Sequence, residues 1–414
     1  MVRTYFTRQL LIFLLLFFVC LLVFWGSVKI FFVQDDFALL YQFSSGNILV
    51  DLKNSLGRAT ITHWRPMHNL YFLLSGNLFG TNFWLYHLLN IFLLTFSGYF
   101  VYKIIYNIVK NEHSAILASV LFVTNPSHFV SVYWISGAST ILEILFLAIS
   151  FYSYLTRKTV ISAVFFLVSV LAAEVFAAAV LLFPILDFLK FKKVNLKKYT
   201  WHFAFLLLFI PLKLFLTTNA TYGSYIIVFG KNIFTSAYYY VLRTLGFGET
   251  NNDLTLSLFL IILYAALLGI YLLKKRLAQE KAVFVFSSAL FFVGLAPFLI
   301  LANHLSPHYM VLPIFALTLA LSAVFAKVGN KVSTIFAAFL IVFSAVIVNS
   351  QEAQSWVTKR SYISKQYIVQ LEKDALPAGT KLIFEDNKIS NSQEAYFSLG
   401  TGKAIDFWFP NKNY

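Results

Sequence analysis

Eleven apolar runs, most of about the length that crosses a lipid bilayer, follow one another along this chain with short loops between them. They cover roughly 10–33, 83–108, 114–131, 133–155, 159–173, 175–190, 200–217, 254–273, 282–301, 310–326 and 332–349. Such a chain has too little polar surface to offer water, and its composition agrees. Hydrophobic residues make up 59% and charged residues 12%, where soluble domains carry about 25% charged residues. The expected fold class is an all-α polytopic membrane protein. The first run is too long for a cleavable leader and lacks a small-residue cleavage site, so no cleavage is expected. Cys20, the single cysteine, lies inside that run, which leaves neither an intrachain disulfide nor a cysteine metal site.

The net charge of +15 would suit a nucleic-acid partner if the basic residues formed one patch. They fall instead in loops on one side of the spans, so no nucleic-acid partner is expected. Arg3, Arg8, Lys103, Lys110, Arg157, Lys158, the five lysines from Lys190 to Lys198, the four basic residues from Lys274 to Lys281, Lys327 and Lys331 share one side. They are 17 of the 32 basic residues. The opposite loops hold Lys53, Arg58, Arg65, Lys231 and Arg243. The asymmetry predicts a cytoplasmic N-terminus in a multi-pass plasma-membrane protein, with the long loops 34–67 and 218–253 extracytoplasmic. Residues 350–414 follow the last span to that outer side and change composition. An amphipathic helix is predicted over 351–375, ending before Pro377-Ala378-Gly379. Thr380 to Glu385 alternates like a strand, and Ala404 to Phe409 reads as a second. The chain therefore divides into a transmembrane part, 1–349, and a small extracytoplasmic α/β tail, 350–414.

Ionisable residues near membrane depth are costly, so each is a candidate for function. Asp35 and Asp36 stand together at the outer end of the first run. Two adjacent carboxylates can take a proton or hold a cation; one of them could equally cap the helix that begins there. His63-Trp64-Arg65-Pro66-Met67-His68 closes the same loop, with a guanidinium suited to phosphate and His63, Trp64 and His68 beside it as substrate contacts. An interfacial anchor would use the same Trp64 and Arg65. Asn125-Pro126-Ser127-His128 and Trp134-Ile135-Ser136-Gly137 lie between the third and fourth spans, where Pro126 breaks the helix. Glu174, at an outer turn, is either a second acid or a solvated residue, and Glu143 in mid-span reads as structural. His304, His308 and Arg243 add cations. Every cluster falls on one predicted face of the membrane.

In this order the residues resemble the GT-C glycosyltransferases, and within them the bacterial relatives of the transmembrane and tetratricopeptide-repeat O-mannosyltransferases. The resemblance rests on Asp35-Asp36, on Trp64-Arg65-Pro66-Met67-His68-Asn69-Leu70, and on Leu78-Phe79-Gly80-Thr81-Asn82 with Tyr86-His87-Leu88-Leu89-Asn90. It continues through Asn125 to His128, Trp134 to Gly137, Ala173-Glu174 with Asp187, and His308-Tyr309 with Leu312-Pro313. It covers about 30–190 and, more weakly, 300–320. The chain departs from the family pattern at Ala138, Ala173 and His308, and the tetratricopeptide repeats are absent.

The resemblance implies a polyprenyl-phosphate-linked sugar donor, a protein, lipid or glycan acceptor, and a site at the outer face. Polyprenyl phosphate leaves readily once its charge is neutralised; Arg65, His128, Arg243, His304 and His308 are the candidates. The acceptor hydroxyl needs a general base, from Asp35 or Asp36, with Glu174 as a further catalytic carboxylate. No cofactor is required by this chemistry; a divalent cation at Asp36 stays open. Direct displacement inverts the anomeric centre. A polysaccharide polymerase or ligase, or a lipid-linked glycan flippase, would also gather charges in a helical bundle. A flippase would carry them at midplane on broken helices, with internal repeats, and no repeat is visible.

Overall fold

The computed structural model describes residues 2–57, 63–217, 226–249, 280–374, 376–382 and 392–410. The described chain is helical, with no strand among those residues. Among the described residues, seven helices are long and apolar enough to cross a membrane: Phe6–Val23, Phe83–Val109, Ile135–Leu155, Leu196–Leu216, Lys281–Leu299, Pro307–Val328 and Asn330–Gln354. Glu112–Val123 and Pro126–Tyr133 form an apolar pair bent by 41°, the geometry of a broken span or a re-entrant loop. The bend has a local cause. Pro126 has no N–H to continue the ladder, and the Asn125 side chain accepts from Ser127 N at 2.9 Å, capping the next turn. Thr159–Ala172 and Ala177–Phe188 are shorter apolar helices. The predicted run 254–273 lies outside the described residues.

Two expectations need correcting. The first span ends at Val23, not near residue 33, and gives way to a short 3-10 turn, Trp25–Lys29. Phe24, Phe31, Phe32 and Val33 are apolar because protein, not lipid, covers them. Hydropathy cannot tell the two apart. In the tail, Lys403–Trp408 is a helix where alternation predicted a strand. Ala404 and Ile405 are buried and Trp408 packs on Phe31, a spacing of one and four that six residues cannot separate from alternation. Thr380 to Leu382 is neither helix nor strand, and 383–385 lies outside the described residues.

The core of the bundle forms where Phe83–Val109 meets Val2–Val23, Glu112–Val123 and Ala138–Leu155, with Lys281–Leu299 packed on Val311–Val328. A second apolar cluster joins the segment after the first span to the tail: Phe31, Phe32, Phe37 and Leu40 pack with Ile368, Leu371, Leu399 and Ile405. Hydrogen bonds to the backbone fasten the same seam. Phe31 N donates to Ser361 Oγ at 2.7 Å, Ser364 Oγ to Phe32 O at 2.7 Å, and Gln34 N to Ser398 O at 3.1 Å. The tail thus braces the turn from which Asp35 and Asp36 project.

Candidate active site

Asp35 and Asp36 open the helix Asp35–Gln42, where the positive end of the helix dipole favours carboxylates. Their environments differ. Asp36 is buried: its Oδ2 accepts Val33 N at 2.9 Å and its Oδ1 accepts Ser136 N at 2.8 Å. It therefore ties the helix start to the turn after Trp134. Asp35 has an exposed side chain. Burial pushes the Asp36 carboxyl well above the ordinary carboxylate range against the pull of those backbone donors, and Asp35 beside it acts in the same direction. Asp35 is also raised by the desolvation of its crowded setting, while Arg360 pulls it down. The preceding Gln34 is strained, with φ at 54°. Gly400, itself at φ +58°, sits so close that a Cβ there would come within 2.5 Å of Gln34 O.

The turn that receives Asp36 is held by the quoted motif residues. His87 contacts Val132 O at 2.8 Å through Nδ1 and Ile30 O at 2.9 Å through Nε2. Asn90 accepts from Tyr71 Oη at 2.8 Å and donates to Ser131 O at 3.3 Å. Gly137 completes the turn; a Cβ there would lie 2.7 Å from Ser131 Cα.

Arg65 stands just before the helix Pro66–Phe79. Its Nε donates to Glu174 Oε2 at 3.1 Å, and Lys213 Nζ binds the other oxygen of the same carboxylate. Burial works to raise Glu174, but Arg65, Lys213 and His63 overcome it and bring its pKa down to about 2. Glu174 is ionised and held between two cations, so it is neither a proton donor nor a solvated turn residue. His63, Glu174, His304 and His308 all lie within electrostatic range of Arg65, and Lys213 shares the Glu174 carboxylate with it. Desolvation lowers His63 to about 3 and lowers His304, with Arg65 adding to both. These imidazoles are neutral at pH 7 and offer hydrogen bonds rather than charge.

His68 joins the two clusters. It is buried, near both Arg65 and the Ser136 backbone, and desolvation lowers it to about 3. Its Nε2 has no protein partner, and neither does the buried Nε1 of Trp134. The Trp134 ring stands 6.4 Å from His308 and 5.5 Å from Trp356. His308 Nδ1 contacts Ser306 Oγ at 2.6 Å. Glu143 lies beneath, its Oε1 accepting Phe176 N at 2.8 Å. Trp64 is packed on Phe209, ring centroids 5.8 Å apart, with its Nε1 donating to Leu56 O.

Not every predicted residue reaches this group. His128 turns inward, Nε2 on Phe122 O at 2.9 Å. Arg243 lies on the adjoining turn, where Asn125 and Ser127 bond the carbonyls of Thr244 and Arg243. The Arg243 guanidinium donates to Phe247 O at 2.8 Å and lies over the Tyr239 ring. Both have structural contacts there. Lys213 and Arg360 escaped the sequence reading. Lys213 had a signal, a lone charge inside an apolar run just after Pro211. Arg360 sits on a polar helix and had none.

A divalent ion at Asp36 does not fit these residues. Both carboxylate oxygens accept backbone N–H groups, and among the described residues no three His, Cys, Asp or Glu side chains gather as ligands.

No family model and no curated protein matches the chain. Among solved structures it is similar to the Archaeoglobus fulgidus oligosaccharyltransferase, crystallised with zinc and sulfate, at 14% identity and a TM-score of 0.47. The alignment covers 96% of this chain and 61% of that one, so the chain spans about three fifths of that structure's length.

Proposed function

We propose that this chain is a GT-C-type glycosyltransferase that moves a sugar from a polyprenyl-phosphate-linked donor to an acceptor hydroxyl. The observation that carries the reading is that the Ser136 turn, which bonds the buried Asp36, also lies beside His68 and through it the Arg65 cluster, while the neighbouring Asp35 is exposed. Asp36 is the positioning residue, fixing the helix that carries Asp35. The acceptor oxygen attacks the anomeric carbon and gives its proton to Asp35. The bond from that carbon to the phosphate oxygen breaks, and the phosphate leaves with the electron pair. A raised pKa makes Asp35 a stronger base than an ordinary carboxylate. Arg65 and Lys213 face the departing charge, with Glu174 holding both in place. His63 and His304 line the phosphate side as neutral donors with His308 beside them, while His68 and Trp134 bring unpaired polar atoms to the sugar. One base carboxylate and no covalent intermediate give inversion.

In this reading the site faces the extracytoplasmic side of the plasma membrane, and the acceptor is a protein, lipid or glycan. The test is incubation of the purified chain with a panel of polyprenyl-phosphate sugars and acceptors. Release of polyprenyl phosphate with one sugar supports the proposal. Absence of release with every donor, from protein that binds none of them, contradicts it.

A further inference from the structure

At the far end of the Ala138–Leu155 helix from Ser136 lies a second built feature. Eighteen residues separate the two ends, about 27 Å at 1.5 Å per residue, close to the thickness of a bilayer core. Here Arg157, Lys193, Val194, Leu196, Lys197 and Lys198 line a cleft of about 920 Å³. The loop that supplies five of them is not a loose basic linker. Asp187, fully buried, accepts Tyr199 Oη at 2.6 Å, Asn195 N at 3.1 Å and Lys198 Nζ at 3.1 Å. One carboxylate thus bonds the loop at three points and fixes where its lysines stand. Lys193 and Lys197 are exposed. Orientation in the membrane requires only that the charges be present; it does not require a buried carboxylate to arrange them.

The apolar residues of the same loop say what the cations face. Val194 and Leu196 are 49% and 72% exposed and lie between Lys193 and Lys197. A site for a soluble phosphate has no use for exposed valine and leucine. A lipid has both parts, a phosphate for the lysines and acyl chains for the apolar tips. We propose that this cleft binds the headgroup of an anionic phospholipid in the leaflet opposite the candidate active site.

The test is equilibrium binding to the purified full chain in neutral detergent, read by native mass spectrometry. The probes are dioctanoyl phosphatidylglycerol, dioctanoyl phosphatidylcholine and inorganic phosphate. Saturable binding of phosphatidylglycerol is expected, with neither of the others binding in the same range. Lys193→Gln with Lys197→Gln should weaken it about 25-fold, at roughly fivefold per basic residue. Asp187→Asn should weaken it too, although every lysine remains. Lys110→Gln with Lys331→Gln, two exposed charges elsewhere on the predicted cytoplasmic side, should leave it unchanged. The proposal is overturned if the Lys193 and Lys197 pair binds like the parent, if the control pair loses as much, or if inorganic phosphate binds as tightly. The exposed lysine variants leave the core intact, so a folding failure in Asp187→Asn does not decide the outcome.

Discussion

Glu174 sits between Arg65 and Lys213 with most of its side chain covered, and its surroundings fix what its loss should do. Glu174→Gln leaves two partly buried cations without their counter-charge, which should cost about 3–5 kcal/mol of stability, read as a lower unfolding midpoint in detergent. The pH dependence follows from the lowered pKa. In the fold Glu174 titrates at about 2, against an ordinary 4.5. Its stabilisation is therefore complete above about pH 4.5 and is lost as pH falls toward 2. The stability gap between parent and Glu174→Gln should narrow across that window; a gap constant from pH 6 to 2 would contradict the pairing. Arg65 itself should show the geometry of its fork. Arg65→Ala should weaken binding of the polyprenyl-phosphate donor more than Arg65→Lys, because an ammonium acts as a point charge. If both variants bind donor like the parent, Arg65 is an anchor at the membrane surface.

Gly137 governs the turn that receives the Asp36 carboxylate. Alanine at Gly137 would press into backbone, 2.7 Å from Ser131 Cα and 3.0 Å from Val130 O, and should move the Ser136 N–H away from Asp36. Gly137→Ala should lower turnover and cost about 1–3 kcal/mol, with donor binding through Arg65 retained. Turnover and unfolding midpoint both equal to the parent's would show that the turn does not position the site. At this scale much was legible in the sequence. The Asp pair, the Arg65 loop and the broken helix at Pro126 all read correctly as places where the apolar pattern is interrupted. The partition between Asp35 and Asp36 was not legible, because a 3-residue reach to Val33 N and a 100-residue reach to Ser136 N decide it. Nor was the end of the first span, since Phe31 and Phe32 look the same to a hydropathy window whether lipid or the tail covers them. The tail's own role was hidden for the same reason: Ser361, Ser364 and Ser398 reveal a brace only once Phe31, Phe32 and Gln34 lie beside them.

Across the whole molecule, the proposed orientation places loop 34–67 and the tail on the same, outer side. Ser45 and Gln366 are both exposed. Cysteine at either, with Cys20 replaced by Ala, should react with an impermeant reagent in intact cells. Reaction only after permeabilisation would reverse the orientation and put the candidate site in the cytoplasm. The central claim, that Asp35 takes the acceptor proton while Asp36 anchors its helix, is tested most directly by the turnover of Asp35→Asn at saturating donor. Asp35 is exposed and the N-cap of its helix is Gln34, so Asn in its place keeps the size and polarity of the side chain, and folding and donor binding should persist while turnover falls about 10²–10⁴-fold. Near-parental turnover in Asp35→Asn would contradict the claim and leave the carboxylate pair with the structural role that Asp36 plays at Val33 and Ser136.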